Sequence, residues 1–227
     1  MLDPKVFPYM CFVRFDLICK EFDAQFNVYF DDHIRELAAR KGYGPAWRTS
    51  EMRGADNEGL FEQEYQQIYT INDPELFQSF PHKPQPAVTE KIPFRRDMTN
   101  WGRVFYRLLS FTEKDVRPGR CLARMEVSFK GSGAKLKQFE SDHEKHVRRI
   151  AKLPGVHRAW QLKFLPHKNQ ILESPAGNYM AMFEVDAPEN IFDPSLNADR
   201  IAWEGKYAPE FAGRHFAKLR CFTPRID

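Results

Sequence analysis

Two stretches of the chain, FNVYFDDHIRELAARKGYGPAW (26–47) and FESDHEKHVRRIAKLPGVHRAW (139–160), share one gap-free spacing: Phe, six residues, His, eight residues, Gly, three residues, Ala-Trp. A pattern repeated at about half the 227-residue length implies two copies of one structural unit. The likeness extends outward from this segment. Near the start of each half, Cys11, Arg14 and Asp16 recur as Cys121, Arg124 and Glu126. Further on, INDPELF (71–77) resembles VDAPENIF (185–192), and RVFYRLLSFT (103–112) answers RHFAKLRCFT (214–223). The seam falls near DVRPGR at 115–120, which divides the chain into repeats 1–115 and 116–227.

Each repeat reads strand, helix, two strands, shorter helix, strand. The first places strands near 9–18, 45–53, 63–71 and 102–111, with helices near 21–41 and 73–80. The second places strands near 120–129, 156–165, 178–186 and 213–222, with helices near 134–152 and 189–206. This βαββαβ order is the ferredoxin-like arrangement, in which two helices cover one face of a four-stranded antiparallel sheet. The other sheet face needs a cover, and a tandem copy supplies it: two sheets packed face to face close a barrel-like core. The expected class is therefore α+β, two fused ferredoxin-like repeats forming one α+β barrel.

Composition narrows the function. Thirty-four basic and 31 acidic residues leave a net charge of +3, with basic residues scattered apart from short pairs such as Arg95-Arg96 and Arg148-Arg149. That is no footprint for nucleic acid or an acidic membrane. No run approaches the roughly 18 apolar residues of a membrane span. Cys11, Cys19, Cys121 and Cys221 form no CxxC pair, and MLDPKVFPYM lacks a charged and apolar leader, so a reduced, cytoplasmic protein is expected. No GxGxxG, Walker-type loop or Ser nucleophile elbow occurs.

The repeated helix carries the chemistry. At about 100° per residue, Phe26, Tyr29, Phe30, His33 and Leu37 form one stripe, as do Leu136, Phe139, His143, His146, Ile150 and Leu153. Both repeat histidines thus face the sheet, where burial lowers an imidazole pKa from about 6.5 and keeps the base neutral. The competing reading is a core histidine satisfied by the backbone.

The aromatic-His helix followed by IREL or VRRI, and the KGYGPAW or LPGVHRAW that leads into the second strand, resemble the EthD-like members of the dimeric α+β barrel superfamily. AKLPGV matches the family's Pro-Gly turn, whereas ARKGYG lacks the Pro. The resemblance implies a pocket between the long helix and the sheet and an apolar, aromatic or polyketide-like substrate, handled without a cofactor. It implies a lyase, isomerase or cyclase in which His146 or His33, with His143, moves a proton. A member that binds haem through the helix histidine, a monooxygenase member, and non-catalytic binding of a small molecule are the alternatives.

Candidate substrate contacts are Tyr29, Trp47, Tyr69, Arg14, Arg124, Trp160, Trp203 and His215. Trp47 and Trp160 either stack on an aromatic substrate or fill the gap between helix and sheet. The pairs Arg14/Asp16 and Arg124/Glu126, joined by Arg103, Arg107, Arg214 and Lys218, read first as an ion network between the sheets and second as an anion site. His143, His146 and His215 admit a metal reading, but no carboxylate or cysteine falls at a matching spacing, so none is assigned. The segment 81–100 reads as a surface loop or lid. The expected partner is an aromatic or carbonyl substrate, and a homodimer through an exposed edge stays open.

Overall fold

The computed structural model describes residues 2–18, 21, 23–51, 64–77, 98–115, 117–171, 177–191 and 194–221. The segment 81–97 therefore lies outside the described residues. Eight strands form one closed antiparallel barrel. In chain order the elements are β1 (Tyr9–Leu17), α1 (Asp23–Ala38), β2 (Tyr43–Glu51), β3 (Tyr65–Ile71), a 3-10 turn (Pro74–Phe77) and β4 (Met98–Glu113). The second half continues with β5 (Cys121–Phe129), α2 (Gly133–Ile150), β6 (Val156–Leu165), β7 (Tyr179–Val185), a 3-10 turn (Pro188–Ile191), α3 (Pro194–Tyr207) and β8 (Phe211–Cys221).

Around the barrel the order is β1-β3-β2-β8-β5-β7-β6-β4. Each half thus contributes the same order, β4-β1-β3-β2 and β8-β5-β7-β6, and the halves are sewn together by β2 with β8 and β4 with β6. Closure gives each strand two paired neighbours, with the β2–β8 seam limited to Thr49–Glu51 against Leu219–Cys221. Among the described residues no helix is long and apolar enough to cross a membrane.

The repeated glycine has a backbone reason. Gly42 and Gly155 end the helix-to-strand turns with φ of 92° and 73°, a region costly for residues with a Cβ. Each also accepts the same hydrogen bond, from Asn72 N in one half and Asp186 N in the other, both 2.9 Å. The repeated phenylalanines, Phe26 and Phe139, are wholly buried on α1 and α2.

Three apolar clusters follow from strand alternation. Cys11, Val13, Phe15 and Leu17 meet α1 in the first-half layer, and Cys121, Ala123, Met125 and Val127 meet α2 in the second. The third cluster fills the barrel and draws on both halves, with Met10, Phe12, Trp47, Ile68, Tyr106, Trp160 and Met182. Trp47 and Trp160 belong to this third cluster and not to the gap between helix and sheet. Their rings meet edge to face, with centroids 5.4 Å apart. The odd-even pattern fixes this: their neighbours Arg48 and Gln161 take the helix side, each donating to a helix carbonyl, Asn27 O at 2.8 Å and Glu140 O at 2.9 Å.

The internal ion network is smaller than its sequence expectation. Glu126 meets Arg124 at 3.3 Å and Arg14 at 3.6 Å, and Gln66 accepts from Arg124 at 2.9 Å. Asp16 leaves the network because the register shifts between Arg14 and Asp16. Its carboxylate accepts instead from Glu64 N and Asn100 Nδ2. Arg103 lies on the helix side, Arg107 is exposed, and the side chains of Arg214 and Lys218 lie outside the described residues. A second buried group, Arg158 with Glu184 at 2.7 Å and Glu113 at 2.6 Å, ties the β4–β6 seam.

The ladders also correct the pairing of the repeats. Ile68 lies between Phe12 and Trp47, and Met182 lies between Arg124 and Trp160. Since Trp47 corresponds to Trp160, Phe12 corresponds to Arg124 and Arg14 to Glu126, two residues from the correspondence that the sequence suggests.

Candidate functional site

The two helix-sheet layers differ in the residues that line them. In the second, α2 buries Phe139, His143, His146, Val147 and Ile150. Trp203 of α3 sits over both histidines, 5.5 Å from the His143 ring and 5.4 Å from that of His146. Phe139 and Tyr179 pack against His143 at 5.6 and 6.2 Å. Burial, helped by His146, holds the His143 pKa down to about 3. Its tautomer follows from the neighbours. Gln161 Nε2 must donate to the Glu140 carbonyl, which fixes the amide, so the same nitrogen donates to His143 Nδ1 at 3.3 Å. The proton of His143 therefore sits on Nε2, which is buried without an acceptor among the described residues.

Such a histidine is a neutral donor embedded in rings. The ring space a haem would need beside it is occupied by Trp203, Phe139 and Tyr179, so His143 does not fit as a ligand to that group. Among the described residues no three His, Cys, Asp or Glu side chains gather to hold a metal. His215 occupies the register position opposite Glu126, and its side chain lies outside the described residues.

The first layer is built differently. Phe30 takes the place of His143, and the buried stripe of α1 is Phe26, Phe30, Ile34 and Ala38. His33 sits on the flank of that stripe, half-buried, with Tyr29 stacked on it at 5.8 Å and 15° and Phe30 edge-on at 5.6 Å. Burial, opposed by Glu36 and aided by Arg40, lowers its pKa to about 4. At neutral pH it is an uncharged, accessible imidazole.

Below His33 and Tyr29 the layer is lined by tyrosines. Tyr69 meets Tyr43 edge to face at 6.0 Å. Phe77, from the 3-10 turn, packs on Tyr43 at 5.7 Å, Tyr69 at 5.8 Å and Phe105 at 6.0 Å. Burial pushes Tyr29 and Tyr43 up to about 12 and Tyr69 well above its ordinary value, so all three keep their protons. Tyr69 donates to Gln67 Oε1 at 2.7 Å.

On the floor, Arg103 of β4 lies 5.3 Å over the Phe77 ring and donates to Asn169 O at 2.8 Å and Phe77 O at 3.1 Å. Asn169 belongs to the segment after β6, where Ile171 bridges to Arg103, so the second half completes the first half's layer.

Thus His33, Tyr29 and Tyr69 come together in one layer, while His143, His146 and Trp203 form another. Trp47, Trp160, Arg14 and Arg124 lie inside the barrel, apart from both. Sequence reasoning missed Tyr43, Phe77, Gln67 and Asn169, and put Arg103 in the wrong network. The parity of β4 held a usable signal for Arg103, which lies two residues from Phe105 and shares its face.

No protein-family profile and no curated protein matches the chain. Solved structures do. A candidate monooxygenase of Fusobacterium nucleatum superposes with TM-score 0.65 at 10% identity, over 96% of this chain and 94% of that one. An anthrone oxidase-like protein gives TM-score 0.60 at 13% identity, over 96% and 92%. A variant of the chlorite dismutase of Candidatus Nitrospira defluvii gives 0.55 at 10% identity, over 93% and 90%. At such identities the likeness is one of fold: the chain has the α+β barrel of monooxygenase-like proteins. It does not single out the EthD-like branch.

Proposed function

We propose that the chain is a small-molecule enzyme whose first-half layer takes a proton from an aromatic or carbonyl-conjugated substrate, with His33 as the base. The observation that carries this is the state of His33: neutral above about pH 4, half-buried, and stacked on Tyr29 at the edge of a layer of buried aromatic rings. The substrate ring lies among Tyr29, Tyr43, Tyr69 and Phe77, and an acidic C–H or O–H presented to His33 loses its proton to the imidazole. The electron pair left behind spreads over the conjugated system as an enolate or phenolate. Tyrosine hydroxyls that keep their protons stabilise that oxygen by hydrogen bonding.

Reprotonation elsewhere would make the reaction an isomerisation or an elimination, whereas capture of the anion by dioxygen would make it an oxygenation. The names borne by the fold neighbours favour the second outcome. Anthrone is a direct probe, because its acidic ring carbon gives an enolate and the reaction C14H10O + O2 → C14H8O2 + H2O balances without a further reductant. Oxygen uptake with anthrone should proceed with the purified protein and fall at least about 100-fold in kcat in His33→Gln, the usual size of a general-base contribution. An unchanged rate in a folded His33→Gln protein would defeat the mechanism.

A further inference from the structure

Buried cations in this protein come with carboxylates, with one exception among the described residues. Arg48 meets Asp31 at 2.6 Å, Arg124 meets Glu126 at 3.3 Å, and Arg158 meets Glu184 at 2.7 Å and Glu113 at 2.6 Å. Arg103 is 1% exposed, yet no described carboxylate lies within ion-pair distance of it. Two of its nitrogens donate to the carbonyls of Asn169 and Phe77, and Nη2 is buried without an acceptor among the described residues. Desolvation without a counter-ion is expensive, and two neutral carbonyls offset only part of it. Burial accordingly lowers the Arg103 pKa.

Other donors nearby are also unmet. Asn169 Nδ2, on the residue whose carbonyl Arg103 bonds, and Gln67 Nε2, on the residue that accepts from Tyr69, are buried without acceptors among the described residues. Against this sit the faces of Phe77, Tyr43 and Phe105. A planar ring with an acidic substituent matches both features at once: the ring meets the aromatic wall and an anionic oxygen meets the guanidinium.

We infer that the first-half layer is a binding site for small aromatic carboxylates, with Arg103 as the anchor for the carboxylate. The inference deepens the proposed function by naming its substrate class and rests on it for the chemistry after binding. A carboxylate oxygen accepts from Arg103 Nη2, with the amides of Asn169 and Gln67 as further donors, and the ring extends along Phe77 and Tyr43 toward Tyr29 and His33.

The test compares 1-naphthoate with its uncharged analogue 1-naphthamide by calorimetric titration of the full chain. The wild type should bind 1-naphthoate at least about tenfold tighter, the scale of one charge-assisted hydrogen bond. Arg103→Gln should abolish that preference, chiefly by weakening 1-naphthoate, and Arg103→Lys should retain part of it. His33→Ala should keep the full preference, so that a failure of the proton-transfer reading shows in turnover alone. Equal binding of the two compounds, no binding of 1-naphthoate, or a preference that survives Arg103→Gln would overturn the inference. Should Arg103→Gln fail to fold, a crystal of the wild type soaked with 6-bromo-2-naphthoate decides it. The anomalous bromine and the carboxylate must then bracket Phe77 with the carboxylate on Arg103, and any other seat refutes the assignment.

Discussion

Replacing His143 with Phe should remove a large part of the acid lability of this protein without lowering its stability at neutral pH. The first half already uses Phe30 at the corresponding helix position, so the ring volume suits the layer. In the native chain burial holds His143 at a pKa of about 3, whereas an unfolded chain leaves it near about 6.5. Between those values the unfolded state binds a proton that the native state refuses. The stability that neutral His143 permits is therefore complete above about pH 6.5 and lost progressively as the pH falls toward 3.

At pH 4.5 the linkage amounts to about 3 kcal/mol relative to pH 7.5, a sizeable share of an ordinary domain's stability. At pH 7.5 the substitution relieves a buried Nε2–H without an acceptor among the described residues, about 1–3 kcal/mol, and forfeits the Gln161 contact, about 1 kcal/mol. The net should lie between neutrality and a gain of about 2 kcal/mol. Urea unfolding of both proteins at the two pH values, followed by tryptophan fluorescence, gives the double difference. His33, also held low, is present in both and cancels. Parallel losses in wild type and His143→Phe would refute the buried, neutral state assigned to His143.

The geometry sets three further outcomes. Under the proposed function, the acid limb of the pH–rate profile for anthrone oxidation should fall near pH 4, where His33 gains its proton, and not near the ordinary histidine value; a limb at about 6.5 would place the base elsewhere. Glu126→Gln removes the buried carboxylate that meets Arg14 and Arg124 and should cost about 3–5 kcal/mol in chemical denaturation. Gly155→Ala should cost about 1–3 kcal/mol, because φ is 73° and the new Cβ would meet Asn190 at 2.7 Å; a melting temperature equal to wild type would contradict the turn's role.

The repeat was a strong guide to backbone and a weak one to side-chain direction. The spacing to Gly42 and Gly155 reflects a left-handed turn that both halves need, so the order of elements could be read from it. The parity of β1 separates Cys11, Val13, Phe15 and Leu17 from Arg14, and the structure turns that apolar set to the helix. What could not be read was set by events with no local signature. The register shift between Arg14 and Asp16 takes Asp16 out of the barrel. A counterpart two residues away is invisible when both options place Arg and an acid on the same face. The half-buried flank position of His33 depends on α1 turning Ile34 to the sheet, a choice that a stripe about 100° wide leaves undecided. Arg103 needed the fold, since Asn169, which it binds, is 66 residues away and comes from the other half.

Fusion explains why two halves of one pattern carry different loads. Arg14 and Glu126 occupy corresponding positions and meet across the barrel at 3.6 Å. In an assembly of two identical chains those positions would hold two arginines or two glutamates, and like charges in a buried barrel would oppose closure. A single chain can place opposite charges there, and the pair then favours the association of unlike halves. The same freedom acts in the helix-sheet layers. His143, His146, Phe139 and Trp203 pack the second, whereas in the first Phe30 stands in the place of His143, His33 sits on its flank, and the floor holds an Arg103 with no carboxylate beside it among the described residues. Under the proposed function one layer packs and the other reacts, so saturating wild-type protein with 1-naphthoate should reveal one tight site per chain and not two.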